Sequence, residues 1–136
     1  MRILVVDDEF VALTKMTTLL KPYGECDAAT CARQAMEMFT KALGRVHPYD
    51  LVAIDIEMPD GNGLALLRAM CEQESRNGGR RAKKIVVSGA ASADNVARAA
   101  ANKCDAFLVK PVKKEALVNK LIELKCIVAE PPVAAR

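Results

Sequence analysis

The chain has 136 residues, 51% of them hydrophobic and 27% charged, a length and balance that suit one folded domain and exclude both a disordered segment and a multidomain enzyme. Its 20 Lys and Arg against 17 Asp and Glu leave a net charge of +3, too small to identify a nucleic-acid binder. Five cysteines, Cys26, Cys31, Cys71, Cys104 and Cys126, form an odd set without a CxxC pair. That argues against a disulfide framework or a zinc site, and for reduced thiols in a cytoplasmic protein. The apolar run 3–6 stops at Asp7 and Asp8, and no stretch approaches the roughly 18 apolar residues of a membrane span.

Along the chain, short β-rich runs alternate with stretches of helical period. Residues 2–6 read as a buried strand. Phe10, Leu13, Met16 and Leu20 then recur at helical spacing until Pro22 and Gly24 end a first helix. A weak second strand covers 25–28. Thr30 is placed to cap a helix whose apolar face is Ala32, Ala35, Met36, Phe39 and Leu43, ending at Gly44. Strand three spans 51–54 and reaches Asp55. Leu64, Leu67, Met70 and Cys71 mark the third helix, followed by a basic loop from Arg76 to Lys84. Strand four is 84–87. Ser92 caps an Ala-rich fourth helix ending near Asn102, with Val96 as its only larger aliphatic anchor. Strand five is 106–109, and Leu117, Leu121, Leu124 and Val128 stripe the last helix, leaving 129–136 as a short tail.

Five strands alternating with five helices require right-handed crossovers and therefore a parallel sheet covered on both faces, in agreement with the continuously apolar strands. The expected fold is α/β, a doubly wound five-stranded parallel sheet. Order 2-1-3-4-5 is a common solution, with its ligand site beyond the carboxyl ends of strands one and three. In that order Asp7, Asp8, Asp55, Ser88 and Lys110 gather at one rim. Crowded carboxylates repel by an amount on the order of several kcal/mol unless a cation offsets them. Oxygen ligands without His or Cys favour Mg²⁺. Lys110 and Ser88 add a positive charge and a hydroxyl where phosphate oxygens would sit, and a carboxylate so placed can accept a phosphoryl group. Taken singly, each residue has a plainer role as a turn, cap or loop residue. Their joint placement at successive strand ends makes coincidence a poor explanation.

The segments ILVVDDE at 3–9, DIEMPDGNGL at 55–64, VVSGAA at 86–91 and FLVKP at 107–111 resemble the response-regulator receiver domain of the CheY-like superfamily. The resemblance covers about residues 2–128, giving a receiver domain over 1–128. It implies a two-component phosphorelay switch, a signalling protein and not an enzyme that turns over a substrate, although it catalyses its own phosphorylation and dephosphorylation. It further implies that Asp55 is the phosphoacceptor, that Asp8, Asp55 and the Glu57 main-chain carbonyl hold Mg²⁺, and that Asp7 helps through water. Ser88 and Lys110 would meet the phosphoryl oxygens, Lys110–Pro111 would be a cis peptide, and Phe107 would stand at the rotating aromatic position of the switch.

The implied partners are a sensor histidine kinase or histidine phosphotransfer protein as donor and a separate output protein, reached through the fourth helix, fifth strand and fifth helix. A phosphorylation-dependent homodimer is compatible with this. Direct nucleic-acid binding and membrane insertion are not expected. The basic loop, with Arg76, Arg80, Arg81, Lys83 and Lys84, lacks interleaved aromatics and reads as a solvated connector. His47, before Pro48, lacks the exposed helical setting of a phosphotransfer histidine. Two rivals stay open: a haloacid-dehalogenase-type phosphatase, whose nucleophile motif would come first with a second Asp two residues on, and a receiver-like module that is not phosphorylated.

Overall fold

The computed structural model describes residues 1–45, 47–58, 61–78, 81–90 and 92–128. The tail 129–136, Arg80 in the basic loop, and Pro59, Asp60 and Ala91 in the motifs lie outside the described residues. Five strands, β1 (Arg2–Val6), β2 (Glu25–Ala29), β3 (Leu51–Asp55), β4 (Lys83–Ser88) and β5 (Ala106–Val109), form one parallel sheet in the order β2-β1-β3-β4-β5. Five α-helices connect and cover them: α1 (Phe10–Leu20), α2 (Ala32–Leu43), α3 (Gly63–Arg76), α4 (Ala93–Ala101) and α5 (Lys114–Glu123). Because side chains alternate along a strand, Ile3 and Val5 pack with Leu13, Met16, Leu117 and Leu121 on one face, while Leu4 and Val6 pack with Phe39, Leu67 and Met70 on the other. Each of the larger side chains buried this way is worth roughly 1.5–3 kcal/mol, which explains why the strands are apolar on both sides.

Several local expectations change. Phe10 is 77% exposed and Val11 is likewise exposed, so α1 buries only Leu13, Met16 and Leu20. Phe10 is the first residue of the helix, a turn ahead of Leu13, the first residue that α1 buries. The cap of α2 is Cys31, whose Sγ accepts from the Gln34 amide at 3.5 Å. Thr30 stands one residue earlier, and its backbone amide donates to Gln34 Oε1 at 2.9 Å. Asn62 caps α3 by accepting from the Ala65 amide at 2.7 Å. Ser92 caps α4 as expected, but the helix is seated by Ala99, fully buried, while Val96 is 41% exposed. The last helix stops at Glu123, and Val128 is exposed instead of extending its stripe. The turn that follows runs through Lys125 at φ 61° and returns the Cys126 amide to the Leu121 carbonyl at 2.8 Å.

The basic loop is also shorter than its sequence implied. Arg76 closes α3, and Lys83 joins Lys84, already expected as the strand's first residue, in β4. Lys84 is fully buried: its Nζ donates to Glu74 Oε1 at 2.5 Å and to the Ala82 carbonyl at 2.9 Å, while Glu74 Oε2 accepts from the Ala82 amide at 2.6 Å. A lysine can enter a strand interior here because α3 supplies its counter-charge and every polar atom is bonded. His47 stands at the amino ends of the strands, opposite the rim that carries Asp55, where its carbonyl accepts from the Arg2 guanidinium. All five cysteines are free and partly buried, and burial raises the Cys26, Cys104 and Cys126 thiols above their ordinary range. Among the described residues no helix is long and apolar enough to cross a membrane.

Candidate phosphoacceptor site

The carboxyl ends of β1 and β3 are adjacent, with Val6 paired to Ile54, so Asp7 and Asp55 emerge side by side at the same rim. Both are nearly buried, at 5% and 4% exposure, whereas Asp8 is exposed. Carboxylate oxygens of Asp7, Asp8 and Asp55 all lie within 4.8 Å of one another. Each buried carboxylate is steadied by the amide two residues on: Asp7 Oδ1 accepts from Glu9 at 2.9 Å and Asp55 Oδ1 from Glu57 at 3.2 Å. Gly63 lies directly behind the site. Its amide donates to the Ile56 carbonyl at 2.7 Å, and a Cβ there would fall 2.1 Å from the Asp55 carbonyl oxygen. Only glycine lets α3 begin this close to the third strand.

Burial, then the neighbouring Asp7 charge, pushes the Asp55 carboxyl up to about 6, against the downward pull of the Glu57 amide and Lys110. Lys110 is the cation that holds the pair together. Its Nζ lies 2.9 Å from Asp7 Oδ2 and 3.3 Å from Asp55 Oδ2. Burial alone would lower the Lys110 ammonium, but the two carboxylates outweigh that effect and raise it. Lys110 follows β5, its amide donates to the Ser88 carbonyl at 2.9 Å, and the Lys110–Pro111 peptide bond is cis. The donor set fits a hard divalent cation: three carboxylates, two of them buried and mutually repelling, with no nitrogen or sulfur ligand among the clustered groups.

The fourth strand ends at Ser88, which is fully buried. Its hydroxyl donates to Glu57 Oε1 at 3.2 Å and lies 3.4 Å from the Ala90 carbonyl, while accepting from the Ala90 amide at 3.0 Å. Phe107 is half-buried on β5 and packs on the core face that α4 covers through Ala99. Thus Asp7, Asp8, Asp55 and Lys110 come together as expected, whereas the Ser88 hydroxyl turns to Glu57. The Glu57 side chain was not assigned a role from sequence, where only its carbonyl was singled out. Its signal was present, since an acid two residues past Asp55 faces the end of the neighbouring strand. A further unforeseen feature is a cleft of about 350 Å³ between α1 and the segment after Lys110, opening beside Asp7 and Asp55 and walled by Val5, Met16, Ala53 and Val87.

Comparison with known proteins agrees with this fold. The family model described as response regulator receiver domain matches residues 3–122. The chain is 32% identical over 135 residues to histidine kinase CKI1 of Arabidopsis thaliana, covering 91% of this chain and 12% of that protein. It is 23% identical over 127 residues to the cell cycle transcriptional regulator CtrA of Caulobacter vibrioides, covering 89% of this chain and 48% of that one. It therefore spans less than half the length of these curated relatives. Among solved structures it is similar to a CheY-like receiver domain protein from Methanospirillum hungatei, with TM-score 0.73 and 30% identity over 92% of each chain. It is also similar to the CKI1 receiver domain complexed with Mg²⁺ and BeF₃⁻, with TM-score 0.78 and 28% identity over 90% of this chain and 89% of that one. The chain belongs to the response regulator receiver domain family.

Proposed function

We propose that this domain is a cytoplasmic phosphorylation switch in which Asp55 accepts a phosphoryl group from the phosphohistidine of a sensor kinase or phosphotransfer protein. An Asp55 carboxylate oxygen attacks phosphorus, an O–P bond forms, the N–P bond of the donor breaks, and the departing imidazole takes a proton from solvent. Asp7, Asp8 and Asp55, with the Glu57 carbonyl, would hold Mg²⁺, as the Mg²⁺ complex of the similar CKI1 receiver supports. When bound, that cation neutralises charge developing on the phosphoryl oxygens. The Lys110 ammonium, now between Asp7 and Asp55, then turns to the new anion, and the Ser88 hydroxyl donates to it.

The readout is movement of α4, β5 and α5 to bind a separate protein. The α4 helix fully buries only Ala99, so it is held by little apolar area and shifts at low cost. Phe107, lacking a hydroxyl, couples to it through packing alone. The observation that carries this reading is the position of Lys110 within 3.3 Å of both buried carboxylates. Treatment with a small phosphodonor and Mg²⁺, followed by intact-mass analysis, tests it: the wild type gains one phosphate and Asp55→Asn gains none. An unchanged adduct on the variant refutes the assignment.

A further inference from the structure

From the Ser88–Glu57 contact we infer that the Glu57 carboxylate is a latch that holds the unphosphorylated domain in its resting state. This rests on the reading of Asp55 as phosphoacceptor and adds a positioning role for a side chain to which that reading gives none. A serine hydroxyl has one proton to donate. Here it points to Glu57 Oε1 at 3.2 Å, with the Ala90 carbonyl more distant at 3.4 Å. Ser88 is fully buried, so water cannot replace Glu57 freely as its partner, whereas Glu57 itself is exposed and can swing away.

The latch reaches α4 through consecutive bonds. Ser88 Oγ accepts from the Ala90 amide at 3.0 Å, and the Ala90 carbonyl accepts from the Asn95 side-chain amide of α4 at 2.9 Å. Glu57 is fixed from the other side, because its amide is bonded to the Asp55 carboxylate and its backbone pairs with Asn62. The strand end that carries Asp55 is thereby tied to a helix whose only fully seated residue is Ala99. A phosphoryl group on Asp55 brings a charge of about −1.5 to −2 next to a segment that already carries the Glu57 carboxylate. Like charges repel, so Glu57 is driven outward as the Ser88 proton is drawn to the phosphoryl oxygens. The same event breaks the resting bond and supplies its replacement.

Glu57→Ala removes the acceptor, while Glu57→Gln removes the charge but keeps an amide oxygen able to accept from Ser88. Hydrogen exchange on the full, unphosphorylated chain is the measurement. In Glu57→Ala, residues 92–102 should exchange about three- to tenfold faster than in wild type, the range expected for loss of one hydrogen bond. Glu57→Gln should stay close to wild type. Ser88→Ala should loosen the same residues at least as much, because it also frees the Ala90 amide, and adding Glu57→Ala to it should change nothing more, since the Ser88–Glu57 bond is already gone. Wild-type exchange in Glu57→Ala, equal loosening by Ala and Gln, or additive effects of the two alanine variants would each overturn the latch. Because this readout uses no phosphodonor, its failure is distinct from a failure of Asp55 to take up phosphate in the wild type.

Discussion

The Lys110 ammonium reaches Asp55 from the strand next but one, crossing the end of β4 to stand 3.3 Å from the carboxylate while also bonding Asp7 at 2.9 Å. In the resting domain this lysine occupies the space between two carboxylates that would otherwise repel at short range. A group so placed can exchange one anionic partner for another with little motion. The site is therefore electrostatically poised: one buried acid is raised to about 6, and the cation that restrains it is also the one available to a phosphoryl group.

The raised Asp55 pKa makes metal-free stability depend on pH in a defined direction. The folded carboxyl titrates at about 6 against an ordinary value of 3.8, so the folded state holds its proton longer than the unfolded one. The associated stability is full below about pH 4 and is lost as pH rises through 6. Without Mg²⁺, Asp55→Asn should therefore be more stable than wild type at pH 7.5, by about 1–3 kcal/mol, with the difference shrinking toward pH 4. Lys110 keeps its Asp7 partner in the variant. Urea unfolding at several pH values checks this, and a pH-independent difference would contradict it.

Mg²⁺ should raise the melting temperature at pH 7.5 by several degrees, since a ligand at about 100 times its dissociation constant stabilises by about 2.7 kcal/mol. Below pH 6 most of that gain should vanish as Asp55 takes up a proton. Asp8 is exposed, so Asp8→Ala should change metal-free stability little yet lose most of the Mg²⁺ shift. Thermal melts with and without Mg²⁺ decide, and an equal shift in Asp8→Ala and wild type would place the cation elsewhere.

The buried Glu74–Lys84 pair predicts a large asymmetry between single and double substitutions. Lys84→Met leaves the Glu74 carboxylate sealed in the core, with the Ala82 amide at 2.6 Å and, among the described residues, Arg81 at 3.9 Å as its remaining cation. The cost should be about 3–5 kcal/mol. Adding Glu74→Gln removes the stranded charge and keeps an acceptor for Ala82, so most of the loss should return. Urea midpoints of the two variants test this; a single-variant loss below about 1 kcal/mol would show that Glu74 finds other compensation.

Strand order, the convergence of Asp7, Asp8, Asp55 and Lys110, and the parallel crossovers were legible in the sequence because they follow from period and topology. Apolar runs of strand length alternate with amphipathic helices, and a doubly wound sheet sends every strand end to the same rim. Other features depended on what lies across a face. Phe10 satisfies the helical period of α1 but stays exposed, Val96 looks like an anchor but Ala99 fills that role, and Lys84 reads as a charged strand end until Glu74 arrives from α3 to bury it. The hydrogen bond from Ser88 to Glu57 and the grip of Lys110 on two carboxylates are likewise three-dimensional facts. Sequence specifies which groups arrive at the rim, because backbone geometry is periodic. Only the tertiary structure decides which of several nearby acceptors each donor takes, because that choice turns on differences of a few tenths of an ångström and on which charges burial leaves uncompensated.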